Sequence, residues 1–277
     1  MSGIVHQQNE APEMTTPRQP SYYIPHGGGP CFFMPDPSGT WTGMAHFLSH
    51  LREDLPAPPK AILVISGHWE TQGFRFTASA RPPLLFDYYG FPPHTYQLRY
   101  DAPGAPDLAD RAASLLRSSG LEASLDSERG YDHGVFVPLK VAFPEAEIPV
   151  VQMSLDRSLN PALHGAAGAA LASLRDEGVL ILGSGMSFHN MRAYGDPRAT
   201  APSLAFDEWL ADAVSQAGAE RSATLTRWEE APAGRLSHPR EEHLIPLMVA
   251  AGASENAGRR VYGELVLGTA VSGFRFD

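Results

Sequence analysis

Three histidines of this chain share one local setting, each just past an apolar run and each close to glycine: Pro25-His26-Gly27, Gly67-His68-Trp69, and Gly183-Ser184-Gly185 followed by Phe188-His189-Asn190. Glycine lets backbone approach a ligand closely. In open α/β sheets, ligands collect beyond the carboxyl ends of the strands, where loops converge. Strand-end histidines that are remote in sequence can therefore face one crevice. Two more join them: His133 in Tyr131-Asp132-His133-Gly134, and His243 in the run Ser237-His238-Pro239-Arg240-Glu241-Glu242-His243. Imidazole suits iron, zinc and copper, whereas calcium and magnesium prefer oxygen. In the first turn of a helix starting near Glu241, His243 would feel a dipole favouring the neutral ring that a metal needs.

The other histidines carry less. His6 lies in a polar lead-in, and His46, His50 and His164 fall within helical segments, where a satisfied polar role is the ordinary one. His94, in an aromatic stretch, and His238, in a turn, admit either reading. Several familiar sites are missing. There is no His-Glu-x-x-His, no Gly-x-Ser-x-Gly, no Gly-x-Gly-x-x-Gly and no phosphate-binding loop signature. Cys31 is the sole cysteine, so neither an intrachain disulfide nor a cysteine-based zinc site can form. Residue types and spacing point to a histidine-rich metal site and leave the reaction open.

The elements that must position these residues alternate. Ser21–Pro25, Ala61–Ile65, Phe74–Ala78, Ile148–Leu155, Val179–Leu182 and Arg260–Leu267 read as strands. Thr40–Leu51 with Thr40 as N-cap, Asp107–Arg117, Pro161–Arg175, Leu204–Ala217 and Glu241–Ala251 read as helices. This alternation predicts a single α/β domain, with a mostly buried central sheet flanked by helices on both faces and a site at the strand ends. From Pro82 to Pro106 the chain is rich in proline, glycine and aromatics (Phe86, Tyr88, Tyr89, Phe91, Tyr96, Tyr100), a composition suited to a binding loop or to packing over a sheet edge. Residues 1–20 read as a flexible segment preceding a domain over 21–277, and they lack the basic start and apolar block of a signal peptide.

A net charge of −10 repels phosphate backbones, which weighs against nucleic-acid binding. No apolar run reaches the roughly 20 residues of a membrane span. A cytoplasmic location is the default expectation, and the oligomeric state is left open, a homo-oligomer included.

Taken in order, Pro25-His26-Gly27, Ser66-Gly67-His68-Trp69, Tyr131-Asp132-His133-Gly134, Ile148-Pro149-Val150-Val151-Gln152-Met153-Ser154-Leu155, Gly183-Ser184-Gly185 through His189-Asn190, and Glu242-His243-Leu244-Ile245-Pro246-Leu247 resemble the class III extradiol ring-cleaving dioxygenases. The likeness is to the small single-chain branch typified by DOPA 4,5-dioxygenase, and it runs from about Tyr22 to the end. The resemblance implies His26, His68 and His243 as metal ligands, with the Glu-His-x-x-Pro-Leu context favouring His243 over the adjacent Glu242. It implies His189 as the acid–base group and His133 as a second pocket histidine that binds substrate or stabilises charge. Fe(II) is the metal expected for activity, Zn(II) a metal able to occupy the same site, and the partners are a small aromatic diol and O2, giving a semialdehyde product. Tyr131, Arg235 and His94 are further candidates for substrate binding, and Arg99 and Lys140 for meeting a substrate carboxylate. The stretch His26-Gly27-Gly28-Gly29-Pro30 departs from the His-Gly-Ser-Pro of DOPA-type bacterial members, on the substrate side of the pocket. The alternatives are a zinc hydrolase using the same cluster and a non-catalytic adaptor of the same fold.

Overall fold

The computed structural model describes residues 16–277. Residues 1–15, which hold most of the expected flexible segment and His6, lie outside the described residues. Ordered packing begins before Ser21. Gln19 is buried, its backbone N–H donates to Arg175 O (3.0 Å), and its side chain donates to Ala57 O (3.0 Å).

Eight strands form one sheet: β1 (Ser21–Pro25), β2 (Ala61–Thr71), β3 (Phe74–Thr77), β4 (Ala123–Asp126), β5 (Val150–Asp156), β6 (Val179–Gly185), β7 (Gly258–Val266) and β8 (Thr269–Phe276). Their spatial order is β4-β3-β5-β2-β6-β1-β8-β7. The central four, β5, β2, β6 and β1, run parallel. The β7–β8 hairpin adds antiparallel strands beside β1.

Successive residues of the central strands alternate between two cores. Tyr23, Leu63, Ile65, Val151, Met153 and Ile181 face one side, packed with α2 (Pro106–Ser118), α4 (Pro161–Leu171), α5 (Thr200–Ser215) and α8 (Ile245–Gly252). Tyr22, Ile24, Ile62, Val64, Leu180 and Leu182 face the other, under α1 (Thr42–Ser49) and α3 (His133–Ala142). A strand buried on both faces has no polar residue to alternate with, which is why these segments read as unbroken apolar runs. Two further helices, α6 (Gly218–Thr226) and α7 (Gly234–Ser237), follow α5. Among the described residues no helix is long and apolar enough to cross a membrane.

Several local expectations need correction. Thr40 does not cap α1; the Asp36 carboxylate accepts from the backbone N–H groups of Thr40 (2.9 Å) and Trp41 (2.7 Å), one turn earlier. The helix expected from Glu241 starts at Ile245, so His243 sits in the turn before it and not in its first turn. β2 does not end at Ile65 but continues to Thr71. Along it, β2 advances from Ile65 to Glu70 while β5 advances only from Met153 to Leu155. The surplus residues bulge out of the sheet and carry His68 with them, the usual effect of a bulge beside a site.

His164 has the structural role expected of it. Its Nε2 accepts from Asp156 N–H (3.1 Å) and its Nδ1 donates to Asn160 O (2.7 Å), a pair of bonds only the neutral ring can make. Burial holds its pKa down at about 4. The unfolded chain binds this proton below about pH 6.5 and the folded chain does not, so stability falls as pH drops from about 6.5 toward 4, by up to about 1.4 kcal/mol per pH unit. Urea midpoints at pH 7 and pH 5.5 are expected to differ by less in His164→Gln than in the parent. Equal differences would contradict this assignment.

Candidate active site

The sheet register brings the expected residues together. Pro25 pairs with Gly185 and Ser66 with Ser184, so β1 and β2 flank β6 and their next residues leave the sheet on the same side. His26 N–H donates to Gly185 O (3.1 Å), and Gly27, at φ 78°, then turns the chain away in a conformation that suits glycine. His68 rides on the bulge of β2. The turn carrying Glu242 and His243 lies across the ends of β6 and β2. A side chain at Gly185 would collide with His243 O, and a Cβ at Gly67 would sit 2.9 Å from Glu242 O. His243 O itself accepts from Tyr23 Oη (2.7 Å) and Met186 N–H (3.2 Å). The glycines beside the histidines thus admit the turn that carries His243 against the strand ends.

α3 closes the site from the other core. Asp132 is wholly buried and accepts from Ser66 Oγ (2.7 Å), Arg129 Nη2 (3.2 Å) and Gln152 Nε2, while Ser66 Oγ accepts from His68 N–H (3.2 Å). Ser184 Oγ donates to Gly134 O. These bonds tie the start of α3 to β2, β5 and β6, so His133, its first residue, cannot drift from His68. Their rings lie 3.9 Å apart.

Three imidazole nitrogens converge. His68 Nε2 is 3.3 Å from His26 Nε2 and 3.2 Å from His243 Nε2. His26 Nδ1 is 3.0 Å from Gly27 O and His243 Nδ1 is 3.0 Å from Glu242 Oε1, so each gives its one ring proton to oxygen and keeps a lone pair on Nε2. Lone pairs this close repel unless a cation sits among them. Nitrogens bound to one metal at about 2.1 Å stand roughly 3.0–3.4 Å apart, which these distances match. Burial, then the neighbouring imidazoles, pushes His68 and His243 well below the usual histidine range and His26 down to about 3, so all three are the neutral ligand form. It is burial and crowding, not a helix dipole, that keeps His243 neutral.

Two further imidazoles border this group. His189 stacks on His243 with ring centres 3.5 Å apart, and its Nδ1 lies 3.2 Å from Glu242 Oε1. His133 Nδ1 is 2.8 Å from Asp87 Oδ1, which also accepts from the His133 backbone N–H (2.9 Å). Burial raises both carboxyls, but the hydrogen bonds from His189 and His133 more than offset it, leaving Glu242 and Asp87 below the usual carboxylate range.

Tyr131, Arg235, His94 and Lys140 each have a hydrogen-bond partner outside the converging trio. Tyr131 is wholly buried and its Oη donates to Val150 O (2.7 Å), beneath the site and not into it. Arg235 bridges Glu229 (2.5 Å) and Glu241 (2.7 Å) over the Trp228 ring. Exposed His94 bonds Phe33 O (3.0 Å), and Lys140 Nζ donates to Arg99 O (2.9 Å). The aromatic stretch packs Phe86, Tyr88 and Tyr96 on one another and on Phe136 of α3, and it brings Tyr88 to within 5.8 Å of the His133 ring. It also delivers Asp87, which sequence reasoning missed. The only signal was its place among the aromatics.

Known proteins resemble this chain over most of its length. The family described as "Catalytic LigB subunit of aromatic ring-opening dioxygenase" matches residues 20–272. A protein of Hapsidospora irregularis named dioxygenase tasH is 39% identical over 90% of this chain and 82% of its own. The 4,5-DOPA dioxygenase extradiol of Beta vulgaris is 43% identical over 79% of this chain and 82% of its own, and that of Escherichia coli 35% identical over 87% of both. A crystal structure of an uncharacterized Escherichia coli K12 protein superposes with a TM-score of 0.76 at 29% identity, covering 94% of this chain and 100% of that one.

Proposed function

The chain belongs to the LigB family of class III extradiol ring-cleaving dioxygenases, and from that premise we propose that it opens the ring of a catechol-type diol with Fe(II) and O2, using His26, His68 and His243 as metal ligands, His189 as acid–base group and His133 as a second pocket histidine. The observation that carries this reading is the convergence of three Nε2 lone pairs at 3.2–3.3 Å. A ferrous ion held there would supply Lewis acidity toward the diol oxygens and a redox centre for O2. Both O2 atoms end in the product, so no outside reductant is required.

The chain's own residues supply the proton handling. With Nδ1 turned to Glu242, His189 presents Nε2 to the pocket, where it takes a proton from a substrate hydroxyl and returns it as the ring opens. With Nδ1 turned to Asp87, His133 presents Nε2 away from that carboxylate, where it accepts from the second hydroxyl. Tyr88, buried among Phe86, Phe91 and Tyr96, packs edge-on to His133 and backs that ring.

Oxygen consumption by anaerobically Fe(II)-loaded protein, across DOPA, protocatechuate, caffeate, homoprotocatechuate and catechol, tests the proposal. The expected result is a yellow product formed with one O2 per ring. Silence across the panel with iron confirmed in the protein would overturn it.

A further inference from the structure

We propose that Glu242 and Asp87 are paired positioning residues, Glu242 setting His243 and His189 and Asp87 setting His133 as the Nδ1–H tautomer, so that Nε2 is the free nitrogen of these three rings. The inference rests on the functional reading above, in that His189 and His133 are taken as the groups meeting substrate. Glu242 Oε1 lies 3.0 Å from His243 Nδ1 and 3.2 Å from His189 Nδ1. Because those two rings stack within 18° of parallel, their Nδ1 edges lie side by side and meet the same oxygen. A carboxylate only accepts, so both nitrogens must carry the hydrogen.

Asp87 repeats the arrangement from an unrelated part of the chain. Its Oδ1 is 2.8 Å from His133 Nδ1, and its Oδ2 is 3.7 Å from His68 Nδ1, an electrostatic contact longer than a hydrogen bond. The second bond from His133 N–H to Oδ1 fixes the carboxylate against the very ring it orients. Glu242 is steadied in its turn by Arg240, whose Nη1 is 3.6 Å from Oε2 and whose guanidinium grips Glu70 of β2 at 2.5 and 2.6 Å. Glu242 thus joins a ring that would bind the metal to the ring that would move the proton, while Asp87 holds His133 by hydrogen bonds and faces His68 only through charge. A carboxylate present only to fill the fold would need no such pairing.

Zn(II)-loaded, 15N-labelled full-length protein provides a readout independent of turnover, since long-range 1H–15N correlations distinguish the two neutral imidazole tautomers. His189 and His133 are expected to show the Nδ1–H pattern. An amide offers a donor as well as an acceptor and so admits the opposite tautomer; in the serine-protease triad such a change costs about 10⁴ in kcat. Glu242→Gln and Asp87→Asn are accordingly expected to lower kcat per bound iron by at least ~100-fold with KM within about threefold of the parent. Nε2–H tautomers in the parent protein, or amide variants with unchanged kcat per iron, would overturn the proposal. Nδ1–H rings in a protein that cleaves no catechol would leave this inference standing and remove the functional reading. A catechol-cleaving protein with Nε2–H rings would do the reverse.

Discussion

Truncating His68 to alanine is expected to strip the protein of metal and reduce ring cleavage to background. His68 is the middle member of the converging trio, its Nε2 3.3 Å from that of His26 and 3.2 Å from that of His243. Among the described residues the ring best placed to replace it is His133. His133, the nearest ring at 3.9 Å, is held by two bonds to Asp87 and by the ties that anchor the start of α3. Loss of even an outer partner of a ligand costs ~10- to 100-fold in metal affinity, and loss of the ligand itself exceeds that. After Fe(II) loading and desalting, elemental analysis should find less than about a tenth of the parental metal. The fold should survive, because β2 is pinned on both sides by main-chain pairing to β5 and β6, through Ile65 and Ser66 respectively. Circular dichroism of the variant separates that outcome from simple unfolding. A folded His68→Ala protein with a full metal complement would remove the trio from the account.

What was legible in the sequence follows from how each element is buried. β1, β5 and β6 lie between two apolar cores, so composition alone marked them and the histidines after β1 and β6. α3 escaped notice because it is buried along almost its whole length, with Pro138 inside it, so no helical period separates a polar face from an apolar one. β8 escaped for a different reason. Its Thr269, Ser272 and Gly273 look like loop, and they are buried because β7 pairs along one edge and β1 along the other. The bulge that aims His68 is a register shift between two strands, a relation that no single segment records. Asp87 belongs to the same kind of blindness. Nothing local distinguishes it, and it reaches His133 only because the surrounding aromatics pack on α3. The family resemblance supplied the five histidines in order and drew notice to Glu242 as a rival ligand, while the bonds from Glu242 and Asp87 to the imidazoles emerged only from three-dimensional packing.

His189→Ala is expected to divide the site along the opposite line, keeping the metal and losing turnover. The His189 side chain is 21% exposed, whereas His26 and His243 are nearly sealed, so it borders the space a substrate must enter. Its removal leaves the His26–His68–His243 geometry untouched, and Glu242 keeps its bond to His243. The backbone bond from His189 N–H to Ser237 O (2.9 Å) does not depend on the side chain, so the loop stays in place. What disappears is the group that takes and returns the substrate proton, a contribution worth about 10²- to 10⁴-fold in kcat. KM should move little, because the three histidines that would hold the metal, and through it the diol, are unchanged. The vacated space lies flat against the His243 ring and opens to solvent, a shape that fits free imidazole. Added imidazole should therefore restore part of the rate, in proportion to its unprotonated fraction. A metal-free His189→Ala protein would make His189 a ligand and collapse the division of labour, since the ring that holds the metal and the ring that moves the proton would then be one.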